Sequence, residues 1–155
     1  MTTAVRNNGT IFWMGNGGSA ADAQHMAAEL IGRFKRERRA LPSIALTTDT
    51  SILTSLANDY DYSIIFARQL AALCKPGDVV VGLSASGNSE NVIKGLETAK
   101  AKQAVTVALT GGQGGKMIHY ADYSLIVPSN ETARIQEAHI LIGHILCDGI
   151  EQCLA

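Results

Sequence analysis

The chain has 155 residues, 46% of them apolar, which is enough for one domain of ordinary size and far too apolar for a disordered tail. Lys and Arg number 13 and Asp and Glu 14, a net charge of -1, without the basic excess of a general nucleic-acid binder. Only 17% of residues are charged, against roughly 25% in an average soluble domain, so apolar surface devoted to subunit contacts is expected.

Short β-branched runs alternate with helical stretches along the chain. Strands are expected at about Thr10–Met14, Ser43–Leu46, Asp78–Leu83, Ala104–Leu109 and Tyr123–Val127. These runs do not alternate polar with apolar residues, as suits strands covered on both faces. Helices are expected at about Ala20–Phe34, Thr50–Asn58, Tyr62–Cys74, Ser89–Lys102, Gly115–Tyr120 and Thr132–Gln152. Strand–helix alternation implies an open, doubly wound, five-stranded parallel α/β sheet with helices on both faces, filling residues 1–155 as a single domain. The last helix is apolar almost all round, with Ile140, Leu141 and Ile142 spanning most of a turn, so it is expected to face the sheet on one side and a neighbouring subunit on the other. No apolar run approaches the roughly 20 residues of a membrane span, and the first residues lack the apolar stretch of a signal peptide. A cytoplasmic location is expected, with Cys74, Cys147 and Cys153 as reduced core or interface thiols, since they are odd in number and form no CxxC pair.

In a doubly wound sheet, ligands gather at the carboxyl ends of the strands. Three strands run into glycine-rich loops: GNGGS (15–19), SASGNS (84–89) and TGGQGG (110–115). The second opens a helix with Asn88 or Ser89 as N-cap and offers the hydroxyls of Ser84, Ser86 and Ser89 beside free helix N–H groups, which is chemistry for a phosphate. No Lys or Arg lies in it, so a sugar phosphate suits it better than a triphosphate with its metal. A capped turn with ordinary helix-start chemistry is the competing reading. Gly15-x-Gly17-x-x-Ala20 loosely fits a dinucleotide fingerprint, with Asp49 ending the second strand as the ribose acid, but no room remains for a separate substrate domain. TGGQGGK misses the P-loop pattern, because Thr110 replaces its first glycine and Met117 its magnesium-binding hydroxyl.

His25 and Glu29 stand four apart on the helix that leaves GNGGS and share a face behind that loop. Such a pair can supply two metal ligands or an acid–base couple, although it is more often a solvated surface contact. The last helix embeds Gln136, His139 and His144 among apolar residues, where polar groups need partners and core histidines are common. The run Arg33–Arg39 is read as the basic end of the first helix, with Arg33 one turn beyond Glu29. Asn58-Asp59 is a polar turn.

Taken together, GNGGSAADAQHMAAEL (15–30), LTTDTS (46–51), ANDYDY (57–62), GLSASGNSENV (82–92), ALTGGQGGKM (108–117) and ARIQEAHILIGHILC (133–147) resemble the phosphoheptose isomerases. That family belongs to the sugar isomerase (SIS) fold group, a flavodoxin-like architecture. The resemblance runs in order over nearly the whole chain from Gly9. It implies conversion of sedoheptulose 7-phosphate to D-glycero-D-manno-heptose 7-phosphate, the first step toward ADP-heptose, in a homotetramer. It also implies one zinc ion per subunit at His25, Glu29, Gln136 and His144, with Glu29 and His144 as the acid–base pair. Ser84, Ser86 and Ser89 match its phosphate loop. Ser19, Arg33, Asp59, Gln136 and the backbone at Asn16, Gly17 and Gly18 match positions near the sugar.

Aldose–ketose isomerisation suits these residue types, with Glu29 expected to move the carbon proton and His144 the hydroxyl proton. The sequence departs from the family pattern in three places. Ala85 replaces a threonine of the phosphate loop, Ala133 stands where some members carry aspartate, and the chain begins almost at the first strand, without the family's long N-terminal helix. Gln136 and His144 lie eight residues apart, about 12 Å along an ideal helix, so they can share a metal only by reaching inward. The rival reading is a non-catalytic SIS-domain protein that binds the replication initiator DnaA or senses a sugar phosphate; the presence of His25 and Glu29 favours an enzyme.

Overall fold

The computed structural model describes residues 1–154. A short helix α1 (Thr2–Arg6) precedes β1 (Ile11–Gly15), α2 (Gly18–Ile31), β2 (Ser43–Ala45) and α3 (Thr50–Asp59). Then come α4 (Ile65–Leu73), β3 (Val79–Ser84), α5 (Glu90–Ala101), β4 (Val105–Gly111), β5 (Tyr123–Val127) and α6 (Thr132–Leu154). The five strands form one parallel sheet in the order β2-β1-β3-β4-β5. This is the doubly wound architecture expected from the strand–helix alternation.

The period-two geometry of a strand sorts the core. Ile11 and Trp13 face one side with Val79, Val81 and Leu83, covered by Val5 of α1, Met26 and Leu30 of α2, and Cys147 and Ile150 of α6. Phe12 and Met14 face the other with Val80 and Ala108, covered by Phe66 and Leu70 of α4 and Val92 and Leu96 of α5. The expectation of strands buried on both faces holds for β1 and β3, whose residues are all buried. It fails for β5, the edge strand beside β4, whose residues are exposed or half-buried on both faces, with Tyr123 66% and Ile126 43% exposed.

Three local expectations also change. The first helix stops at Ile31 rather than Phe34, with Gly32 as its C-cap, so the basic run Arg33–Arg39 lies outside it. Only Arg38 reaches back, donating to the carbonyls of Glu29 (2.8 Å) and Gly32 (2.6 Å). The expected helix over 62–74 begins as a 3-10 turn, Tyr62–Ile64, because the Asp61 carboxylate caps the Ser63 N–H at 2.8 Å. Lys116–Tyr120 is likewise 3-10. On α6, Ile135, His139, Gly143, Cys147 and Ile150 form the buried stripe, while Leu141 (59% exposed) and Ile145 (61%) point away from the chain's own core.

Candidate active site

In this strand order the chain reverses direction across the sheet between β1 and β3, the place where such folds bind ligands. Gly15 pairs with Leu83 at the ends of those strands, so GNGGS and SASGNS emerge side by side. A reciprocal amide pair ties them. Asn16 Nδ2 donates to Asn91 Oδ1 (2.9 Å) and Asn91 Nδ2 to Asn16 Oδ1 (2.8 Å), while Tyr62 Oη also donates to Asn16 Oδ1 (3.1 Å). Between the loops lies a cavity of about 250 Å³ lined by Asn16, Ser19, Ser84, Ser86, Ser89 and Gln136, among others. Six of the expected site residues thus share one cavity. Gly17 and Gly18 are not among its lining residues, although the Gln136 carboxamide that lines it packs directly over Gly18.

The serine loop is organised from within. Ser84 Oγ lies 2.8 Å from Ser89 Oγ and 3.4 Å from Ser86 Oγ. Ser89 occupies the N-cap position of α5 without a side-chain cap bond, so its hydroxyl is turned to Ser84. TGGQGG packs behind this loop. A Cβ on Gly87 would come within 2.1 Å of the Gly114 carbonyl oxygen, and the Met117 N–H donates to the Gly87 carbonyl (2.9 Å). Its glycines therefore serve close approach between two loops rather than a P-loop, and Met117 is a core residue. Asp49, the would-be ribose acid, caps α3 by accepting from the Ile52 N–H (2.9 Å).

Farther along α2 and α6, His25, Glu29 and His144 converge, with one ligand atom from each lying within 4.8 Å of the others. His25 Nε2 is 3.0 Å from Glu29 Oε1 and 3.3 Å from His144 Nε2. The helices can cross this closely because Gly143 lies against Met26, where a Cβ would stand 2.2 Å from the sulfur. Two imidazole nitrogens and a carboxylate oxygen at these separations are a donor set for zinc, whose bonds to such atoms run about 2.0–2.2 Å. The residues fit the metal.

Two neighbours carry shifted pKa values. Burial raises the Asp22 carboxyl above 3.8, opposed by His139, His25 and His144. His139, 1% exposed, is held below 6.5 by burial, opposed by its Nε2 contact with the Thr110 carbonyl (3.1 Å) and by Asp22. Asp22 Oδ2 and His139 Nδ1 are buried without a hydrogen-bond partner among the described residues.

Arg33 and Asp59 are not brought to the cavity within this chain: Arg33 is exposed beside Glu37 (3.8 Å), and Asp59 accepts from Asn58 Nδ2 (2.9 Å) on the surface. Reading the sequence missed Asn91, Tyr62 and Phe34. Phe34 stacks on His144 with ring centroids 5.2 Å apart, and its position at the end of the expected helix carried no signal of that contact.

Sheet order, crossover cavity and serine loop together define a SIS domain, and the SIS domain family model matches residues 1–111. The phosphoheptose isomerase of Aquifex aeolicus is 60% identical over 152 residues, covering 98% of this chain and 80% of that protein. The chain belongs to the phosphoheptose isomerase family. Among solved structures, the phosphoheptose isomerase of Neisseria gonorrhoeae superposes with a TM-score of 0.93 at 48% identity, covering 98% of this chain and 81% of that one. The phosphoheptose isomerase from Francisella tularensis gives 0.94 at 42% identity with the same coverages.

Proposed function

We propose that this chain interconverts sedoheptulose 7-phosphate and D-glycero-D-manno-heptose 7-phosphate, an aldose–ketose isomerisation through an enediol. The observation that carries this reading is that α2 and α6, which give Ser19 and Gln136 to the serine-lined cavity, also carry the His25–Glu29–His144 cluster, the cavity suited to hold a phosphate and the cluster to move protons. Curated relatives at 54–60% identity are named isomerases, which favours catalysis over a binding-only role.

Ser84, Ser86, Ser89 and the N-terminal N–H groups of α5 hold the phosphate through neutral donors. Ser19, Gln136 and the GNGGS backbone orient the sugar. Glu29 removes a proton from C1 of the ketose; the C–H electron pair forms the C1–C2 double bond while the carbonyl oxygen O2 takes the proton that His144 carries. His144 then takes the O1 proton, the O1–C1 carbonyl forms, and Glu29 returns its proton to C2. Carbon and oxygen each exchange one proton, so the reaction balances without an external redox partner. Zinc held by His25, Glu29, His144 and Gln136 would supply positive charge beside the developing enediolate.

The exposed apolar pair Leu141 and Ile145 supports a tetramer in which α6 meets a second subunit, and Arg33 and Asp59 would then serve sites near the subunit boundary. No helix among the described residues is long and apolar enough to cross a membrane, and the reading places the chain in the cytoplasm. The test is to incubate the purified chain, with zinc supplied, with sedoheptulose 7-phosphate and to follow the aldose anomeric signals by NMR. Aldose is expected to accumulate to equilibrium. No aldose from a confirmed oligomer sinks the enzyme and leaves the binding protein.

A further inference from the structure

Between α2 and β2 the chain turns through residues 32–38 outside regular structure, and that turn is held by one side chain. Glu151 of α6, with a fully buried carboxylate, accepts hydrogen bonds from the N–H groups of Phe34 (2.8 Å), Lys35 (2.9 Å) and Arg36 (2.9 Å). Consecutive N–H groups converging on one anion make a nest, here filled by the chain itself. Arg38 Nη2, on a side chain only 7% exposed, lies 3.1 Å from Glu151 Oε1. Burial pushes the Glu151 carboxyl upward, but the three N–H donors and Arg38 outweigh it and hold the group below 4.5. Since Arg38 also binds the last carbonyls of α2, this buried pair locks the end of α2, the following turn and α6 together.

A buried ion pair is costly to desolvate and weak as a plain stabiliser, so what it holds matters. It holds Phe34. That ring lies nearly parallel to the His144 imidazole, at 17° and 5.2 Å between centroids. His144 meets His25 edge-on, at 64° and 5.1 Å. Lys35 braces the arrangement, its Nζ 5.1 Å from the Phe34 centroid and 3.4 Å from Asp148 Oδ2. Half-buried on a helix face, an imidazole has several staggered rotamers open to it unless something fills the alternatives.

We infer that Phe34 is a positioning residue for His144: its ring sets the plane of the imidazole so that Nε2 faces His25 and Glu29, and the Glu151 nest keeps Phe34 in place. The kinetic consequence rests on the isomerase reading; the stacking itself does not. A misplacement of about 1 Å at a reacting group can cost about a hundredfold in rate, so a ring that restricts the imidazole has work to do.

The test uses three variants: Phe34→Leu, Phe34→Tyr and Glu151→Gln. In the metal-free protein, the ring protons of His144, assigned by their loss in His144→Gln, are expected upfield of a free imidazole because they lie over the Phe34 face. That shift should vanish in Phe34→Leu and Glu151→Gln and persist in Phe34→Tyr. With sedoheptulose 7-phosphate, Phe34→Leu should lower kcat about tenfold with KM changed less than about twofold, as expected when orientation rather than binding is lost, and Phe34→Tyr should restore it. The inference is overturned if His144 signals ignore Phe34→Leu, if kcat does so, or if a folded Glu151→Gln keeps the stacked signal. Should Glu151→Gln fail to fold, the two Phe34 variants decide. A wild-type chain that shows the ring-current shift but makes no aldose removes the isomerase reading and leaves the stacking intact.

Discussion

Ser84, Ser86 and Ser89 are neutral, lie within one turn of chain, and are tied to one another by hydroxyl contacts of 2.8 and 3.4 Å. His25, Glu29 and His144 can all carry charge, and His144 comes from 119 residues away. On the proposed function the loop is a grip whose shape its own hydroxyl contacts maintain, with no charged side chain to reorganise. On the same proposal the cluster is the reactive centre, and its geometry depends on how closely α2 and α6 cross. Binding and turnover should accordingly separate by mutation, and several experiments can break or sharpen that contrast.

Replacing Glu29 by Gln keeps the shape and removes the proposed base. Turnover measured by NMR or a coupled assay should fall about 10²- to 10⁴-fold with little change in KM. Near-normal turnover would exclude Glu29 from the mechanism. Gly143→Ala attacks the crossing instead, since the added Cβ meets the Met26 sulfur at 2.2 Å. Overpacking of this kind costs about 1–3 kcal/mol, and each kcal/mol lowers Tm by about 2–4 °C in a chain of this size. Calorimetry should show that loss together with reduced kcat; an unchanged kcat would mean that the cluster tolerates a wider crossing.

At the grip, Ser84→Ala removes a hydroxyl donor, and a hydrogen bond to a charged group is worth about 1.5–3 kcal/mol, so KM should rise about tenfold or more while kcat stays within a few-fold. A fall in kcat with KM unmoved would contradict the division of labour.

Stability against pH separates the groups around the cluster further. His139 has its folded pKa below 6.5, so the unfolded chain binds its proton first, and the stability it lends at neutral pH drains away as pH falls below 6.5. Glu151 is depressed below 4.5 and its contribution is lost at more acid pH, as its carboxylate is protonated and leaves the nest. Asp22 runs the other way: its folded pKa is raised above 3.8, so acidification through that window relieves a cost. Urea titrations from pH 7.5 down to 3 should show a first decline absent from His139→Gln and a later one absent from Glu151→Gln. A flat profile for the wild type would remove both assignments.

The smallest effect concerns the thiols. Burial is the leading cause that pushes Cys147 up to about 12 and Cys74 to about 11, while Cys153 is exposed. A disulfide reagent should label one thiol quickly in the native chain and the other two only on unfolding. Rapid labelling of Cys147 would show that α2 and α6 part readily.

Much of this molecule is written locally. Strands β1, β3 and β4 are read from unbroken apolar runs, since a strand covered on both faces has no polar side to show. The serine loop is legible because its small hydroxyls stand between a strand and a helix, all within six residues of chain. His25 and Glu29 are legible as a pair because four residues make one helical turn. Other features were not. The end of α2 was read too far because the basic run looks like a helix terminus, whereas its N–H groups at Phe34, Lys35 and Arg36 are claimed by Glu151, more than a hundred residues away. The exposure of β5 was hidden because its composition matches that of a covered strand, and only the strand order makes it an edge.

Composition and short-range pattern thus gave away the class of fold, the serine loop between β3 and α5 and the pairing of His25 with Glu29 on one helix face. Hydrophobic periodicity, capping and turn chemistry all act within a few residues, and a single chain displays them openly. Tertiary structure alone decided that His144 meets His25 at 3.3 Å, that Gly143 is the point where two helices touch, and that Glu151 and Phe34 stand behind the histidine. Those facts depend on helix crossing and on the partners available to buried charge, which are set by the packing of distant segments against one sheet.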